Sequence, residues 1–150
     1  PYTKEAVIHQ AMKTRGEGYG WGGLWGMRDC SSLIQEIYRC FGFSLPRNTQ
    51  GLALLPGAAE IKELSVREKE RLLCETPAGA ILFFPGHVML YLGRRDGRLL
   101  CLSAAGNFLS EGERGGKKRM VNTVTVNSLD VVRANGKTWM ESLEKIIRIP

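Results

Sequence analysis

Apolar positions recur along this chain at two different periods. Between Thr3 and Thr14, Ala6, Val7, Ile8, Ala11 and Met12 fall at helical spacing, with Thr3 placed to cap the first turn. Asp29 to Phe41 repeats the pattern. Asp29 is a good N-cap, Leu33, Ile34, Ile37, Tyr38 and Phe41 form the apolar stripe, Gly42 is the C-cap candidate, and Pro46 stops further helix. Ser65 to Cys74 is predicted as a charge-rich third helix, capped by Ser65 with Glu68 as its capping-box partner. Arg47 to Gly57 is predicted to be irregular. Further on, Ala80 to Phe84, Val88 to Gly93, Leu99 to Ser103 and Val121 to Val126 are strand-sized, and Thr138 to Ile146 is predicted as a closing helix. Helices first and strands after them predict an α+β fold with an antiparallel sheet.

The 150 residues suit one domain, 1–150, and a first residue other than Met suggests a piece excised from a longer multidomain chain. A hydrophobic fraction of 43% is too high for a disordered chain, and no apolar run approaches the roughly 18–20 residues that span a bilayer. Lys4, Glu5, His9 and Gln10 interrupt the first apolar stretch, which excludes a secretory h-region there. The net charge of +6 is dispersed rather than striped. Its dense runs, Arg94-Arg95 and Lys117-Lys118-Arg119, sit among glycines as solvated loops, so no nucleic-acid partner is expected. Cys30, Cys40, Cys74 and Cys101 contain no C-x-x-C pair, and His9 and His87 complete no zinc-like spacing. Neither a metal nor a cofactor is implied.

Two residues carry the chemistry. Cys30 stands at the first position of the second helix, where unpaired N–H groups and the positive end of the helix dipole favour thiolate over thiol. Cys40, Cys74 and Cys101 are read as buried small hydrophobes. His87 opens a strand just after Pro85-Gly86, where an imidazole can face a helix start packed on the sheet and act as base. The glycine-rich stretch from Arg15 to Arg28, with Tyr19, Trp21 and Trp25 interleaved, is read as a loop packed beside that site rather than a flexible linker.

Tyr19-Gly20-Trp21-Gly22-Gly23, Asp29-Cys30-Ser31-Ser32, Leu45-Pro46-Arg47-Asn48-Thr49, Pro77-Ala78-Gly79-Ala80-Ile81-Leu82-Phe83-Phe84 and Gly86-His87-Val88-Met89-Leu90-Tyr91-Leu92-Gly93, in this order, resemble the NlpC/P60 cysteine peptidases of bacterial cell walls. The resemblance runs from about Arg15 to Gly106. The tail from Val121 to Ile149 is loosely similar to members that carry upstream SH3-like modules. It implies a papain-like core with the nucleophile helix packed on an antiparallel sheet, Cys30 as nucleophile and His87 as base. Two positions depart from the family pattern. Ala80 stands where many members have Asp, and Ser103 stands where a His most often orients the imidazole. Ser103 is therefore the expected third catalytic residue, with a shorter side chain that can accept a hydrogen bond from the ring. For Ser103 to share a face with His87, the intervening loop is expected to be odd in length, Arg94 to Arg98, pairing Gly93 with Leu99; a two-residue turn at Asp96-Gly97 would place it on the other face.

The resemblance further implies hydrolysis of the γ-D-glutamyl–diamino acid bond in peptidoglycan stem peptides through a Cys thioester. Tyr19, Asp29, Ser31 and Thr49 are the expected substrate contacts, with Asp29 meeting the free amine of an N-terminal L-alanine. The expected location is the bacterial cell envelope, or the cytoplasm if the role is recycling. Another thiol amidase or acyltransferase on the same core, a catalytically weak wall-binding module and a nucleic-acid binder are the alternatives.

Overall fold

The computed structural model describes residues 1–18, 29–109, 118–133 and 135–150, with the backbone alone at 105–109 and 118–122. The predicted first helix is α1, Lys4–Met12, with the Thr3 side chain accepting from the Ala6 amide. The second is α2, Cys30–Arg39. Its Asp29 cap accepts from the Ser32 amide while Ser32 reaches back to the Asp29 amide, a reciprocal box that satisfies two donors left open at any helix start. The third is α4, Val66–Cys74, capped by Ser65.

The segment predicted to be irregular contains a short helix, α3, Thr49–Ala53, started by the Asn48 side chain accepting from the Gly51 amide. Its single turn holds too few apolar residues to register as a period.

Among the described residues six strands form one antiparallel sheet in the order β1-β6-β2-β3-β4-β5. They are β1 (Ala59–Glu60), β2 (Ile81–Phe84), β3 (His87–Arg95), β4 (Arg98–Leu109), β5 (Lys118–Ser128) and β6 (Lys145–Ile147). The fold class is α+β, as the element order implied. The closing helix is shorter than predicted. α5 covers only Trp139–Ser142, with a Thr138–Glu141 capping box, and the chain then extends at Leu143 and enters β6. Ile146 and Ile147 are β-branched and pair with β2, so sheet completion overrides the helical spacing of Thr138 to Ile146.

The sheet is buried on both faces. α2 lies on β3 and β4, and Leu33, Ile34, Ile37 and Tyr38 pack there with Val88, Leu90 and Leu102. Each such side chain contributes roughly 1.5–3 kcal/mol. Met89, Tyr91 and Cys101 point the other way, into a second cluster with Leu73, Phe84, Trp139 and Met140. Tyr38 ties α2 to the sheet edge by donating its hydroxyl to the Gly79 carbonyl. Gly79 adopts a φ of +99°, a region closed to most side chains, and a Cβ there would lie 3.3 Å from that hydroxyl.

The β3–β4 connection differs from the expected odd loop. It is a two-residue turn at Asp96-Gly97, both at positive φ, pairing Arg95 with Arg98 and Arg94 with Leu99. The register then shifts by one at a bulge between Tyr91 and Gly93, after which Tyr91 pairs with Cys101 and Leu90 with Leu102. Continued one step, that register sets Ser103 opposite Met89, on the face of His87. The bulge does what the odd loop was expected to do.

A candidate thiol–imidazole site

Cys30 is the first residue of α2 and is buried at 8% exposure. Its Sγ lies 3.6 Å from Thr49 Oγ1, so the Asn48 cap that starts α3 also delivers a hydroxyl to the thiol. Beside it, Asp29 does more than cap. Its Oδ1 accepts from the Ser32 amide at 2.9 Å, the Ser31 hydroxyl at 3.3 Å and Arg47 Nη1 at 3.1 Å, while Oδ2 accepts from Arg47 Nη2 at 3.1 Å. Arg47 Nη1 also donates to Ser31 Oγ at 3.1 Å. Burial alone would raise the Asp29 carboxyl, but the Ser32 amide and the Arg47 fork outweigh it and hold the group below the ordinary carboxylate range. Three of the four expected substrate contacts, Asp29, Ser31 and Thr49, therefore cluster around the start of α2. Tyr19 lies outside the described residues, as does the glycine-rich stretch from Tyr19 to Arg28.

His87 begins β3 at the rim of the sheet. Its Nε2 is 3.1 Å from the fully buried Ser103 Oγ, the contact that the bulge permits. With Nε2 occupied by Ser103, Nδ1 is the nitrogen available to move a proton. The ring stands 5.5 Å from Phe84 and 5.0 Å from Trp139, centroid to centroid. Phe84 is its cross-strand partner, and Trp139 arrives on α5. Arg133 stacks over the Phe84 ring, 4.4 Å from its centre. Desolvation, with a smaller contribution from the Arg133 charge, pushes the imidazole down to about 4. His87 is accordingly neutral near pH 7, the form a base requires.

Trp139 is held from behind. Lys69, buried at 2% exposure, donates Nζ to the carbonyls of Met140 (3.4 Å), Glu141 (3.0 Å) and Leu143 (2.7 Å), closing the C-terminal end of α5. Burial lowers the Lys69 ammonium, against the opposing pull of Glu144, Glu141 and Glu63.

The structure thus contains two half-sites. One is Cys30 with Thr49 and the Asp29–Arg47–Ser31 network; the other is His87 with Ser103 under Phe84 and Trp139. Cys30 and His87 are not hydrogen-bonded to each other; their partners are Thr49 and Ser103. Hydrogen bonds between catalytic groups are often long before substrate binds. Arg47 lies within Leu45-Pro46-Arg47-Asn48-Thr49, and only the fold brings its guanidinium onto Asp29. Trp139, Arg133 and Lys69 carried no local signal, because distant chain segments bring them to the ring. Two cysteines depart from the buried reading: Cys40 and Cys74 are exposed, whereas Cys101 is buried and its thiol pushed up by desolvation. No described helix is long and apolar enough to cross a membrane.

Comparison with known proteins bears on the family and the fold. The family model described as NlpC/P60 family matches residues 16–148. The bifunctional muramidase/DL-endopeptidase CwlT of Bacillus subtilis (strain 168) is 32% identical over 122 residues, covering 74% of this chain and 32% of its own. An NlpC/P60 endopeptidase from Photobacterium damselae subsp. piscicida superposes with a TM-score of 0.76 at 19% identity, over 94% of this chain and 37% of that one. RipD from Mycobacterium tuberculosis, described as a non-catalytic NlpC/p60 domain protein adapted to peptidoglycan binding, superposes with a TM-score of 0.57 at 20% identity, over 99% and 100% of the two chains. At these identities the structural likenesses speak to the fold. The chain spans about a third of the length of the curated relatives it matches.

Proposed function

The chain belongs to the NlpC/P60 family, and from that premise we propose that it is a cysteine endopeptidase acting on peptidoglycan stem peptides at the γ-D-glutamyl–diamino acid amide bond. The observation that carries the reading is the Ser103–His87 pair. A fully buried hydroxyl fixes Nε2 of a neutral imidazole, and the exchange of a proton with the thiol is assigned to Nδ1.

In this mechanism Nδ1 takes the Cys30 proton and Sγ attacks the amide carbon, whose oxygen becomes an oxyanion. The first amide of α2 has no acceptor within the helix and faces that charge, an interaction worth roughly 2.7–4 kcal/mol per donor in other enzymes. The C–N bond then breaks, the leaving amine takes the proton from Nδ1, and water hydrolyses the thioester to restore the thiol. Thr49 holds the thiol on the acyl side. Asp29 meets the ammonium of an N-terminal residue, sharing its carboxylate with Arg47. A stem peptide already freed from sugar suits this arrangement, and Tyr19 is proposed to line the same pocket. The dispersed positive charge suits a substrate rich in carboxylates, and the proposed place of action is the bacterial envelope.

The absence of a Cys30–His87 hydrogen bond, and the fold shared with RipD, favour a second reading as a wall-binding module with weak or no catalysis. Incubation with L-Ala-γ-D-Glu-diamino-acid peptides, followed by mass analysis of the products, separates the two. Release of L-Ala-D-Glu supports the peptidase, cleavage at another amide supports a different amidase, and saturable binding without products supports the binding module.

A further inference from the structure

Lys69 breaks the pattern of its own helix. The buried positions of α4 are Lys69 and Leu73, four residues apart on one face, and every other side chain of that helix is partly or fully exposed. An apolar residue would serve packing at such a position, because a buried ammonium is costly unless its donors are satisfied. Lys69 satisfies its donors with the carbonyls of Met140, Glu141 and Leu143, at 3.4, 3.0 and 2.7 Å. Glu144, Glu141 and Glu63 favour its charge from the surrounding elements, and Lys137 opposes it. One ammonium thereby gathers the end of α5 onto α4.

The start of α5 is tied elsewhere. The Trp139 amide donates to the Val131 carbonyl and the Met140 amide to the Leu129 carbonyl, each at 3.0 Å. Trp139 therefore belongs to a single helical turn anchored at both ends, and its indole lies 5.0 Å from the His87 ring and 5.7 Å from Phe84, centre to centre. The other groups around the imidazole are Ser103 from β4, Phe84 from β2 and the Arg133 charge. Ser103 and Phe84 are set by strand pairing. The indole comes from outside the sheet, so its place depends on what holds α5.

We propose that Lys69 is a positioning residue for His87: by gathering the carbonyls at the end of α5, it fixes the Trp139 indole against the ring. The use of that ring as a base rests on the peptidase reading above; the placement of the indole does not. Without the ammonium, α5 is free to lift, water enters beside the imidazole, and its protonated form is penalised less.

The test follows the His87 Cε1 proton by NMR between roughly pH 3 and 8 in the His9→Gln background, for wild type, Lys69→Met, Lys69→Arg and Val7→Ala. From a wild-type midpoint of about 4, Lys69→Met is expected to rise by about one unit or more toward 6.5. Lys69→Arg keeps donors for the same carbonyls and is expected to restore most of the wild-type value. Val7→Ala opens a cavity in α1, within the cluster on the other face of the sheet from Trp139; it is expected to lose stability without moving the midpoint. That variant keeps Glu63, Glu141 and Glu144, so their titration affects both comparisons alike. If Lys69→Met does not fold, Lys69→Gln, with a shorter reach, takes its place with the same expected rise. A midpoint unmoved by loss of the ammonium, or moved equally in Val7→Ala, overturns the proposal and leaves the peptidase reading standing. On stem peptides the acid limb of kcat/KM is expected to move with the midpoint. A wild type that hydrolyses none of them, while the midpoint still follows Lys69, overturns the peptidase reading and supports the positioning role.

Discussion

The imidazole of His87 offers the most quantitative handle on the site. Its surroundings hold it at about 4, whereas an unfolded chain gives an ordinary histidine value near 6.5. Between those values the unfolded state binds a proton that the native state refuses, so stability rises with pH across this window. The stabilisation is complete above pH 6.5 and is lost as pH falls through 4. The full difference is at most about 3 kcal/mol, since one pKa unit corresponds to roughly 1.4 kcal/mol and the residue keeps some exposure. The perturbation is Trp139→Ala. Removing the indole lets water reach the ring, which should raise the His87 value toward 6.5, at a cavity cost of roughly 3–5 kcal/mol in stability. The assay is an NMR titration of the imidazole Cε1 proton, with His9→Gln as background so that one histidine signal remains. Denaturant unfolding at pH 7 and pH 5 accompanies it. A wild-type midpoint near 6.5, or an unfolding free energy equal at the two pH values once carboxylate titration is matched in His87→Gln, would refute the reasoning.

Three further results follow from the same geometry. Ser103→Ala removes the acceptor at Nε2 and frees the ring to rotate; kcat should fall about tenfold or more with little change in KM, measured on a stem-peptide substrate. Lys69→Met leaves three carbonyls at the end of α5 without a donor, so stability should fall by roughly 2–4 kcal/mol in urea unfolding; an unchanged midpoint would show that Lys69 does not hold α5. The acid limb of kcat/KM should lie near pH 4 in the wild type and move toward 6.5 in Trp139→Ala, as read from a pH–rate profile.

The Cys30 side of the candidate site was legible in the sequence because its determinants are local. The Asp29 cap, the stripe from Leu33 to Phe41 and the helical start at Cys30 all lie within one stretch, and α2 forms as they require. The His87 side was legible only in part. His87 and Ser103 meet in a hydrogen bond, but not through the odd-length loop that the sequence led one to expect. Asp96-Gly97 makes the turn its sequence favours, and a bulge near Leu92, which no local motif announced, restores the shared face. Arg133, Trp139 and Lys69 were invisible because they depend on long-range packing: the tail returns across β2 as β6 and carries α5 over the imidazole. The same pairing explains why Thr138 to Ile146 is a single helical turn followed by a strand.

Cys30 is proposed as the nucleophile of one active site shared with His87. The measurement that tests it most directly is the rate of L-Ala-γ-D-Glu-diamino-acid peptide hydrolysis by wild type and Cys30→Ala under the same conditions. Turnover by the wild type is expected, with a loss on the order of 10⁴-fold or greater in Cys30→Ala, the scale seen when a nucleophile is removed from a working constellation. Turnover retained by Cys30→Ala would contradict it.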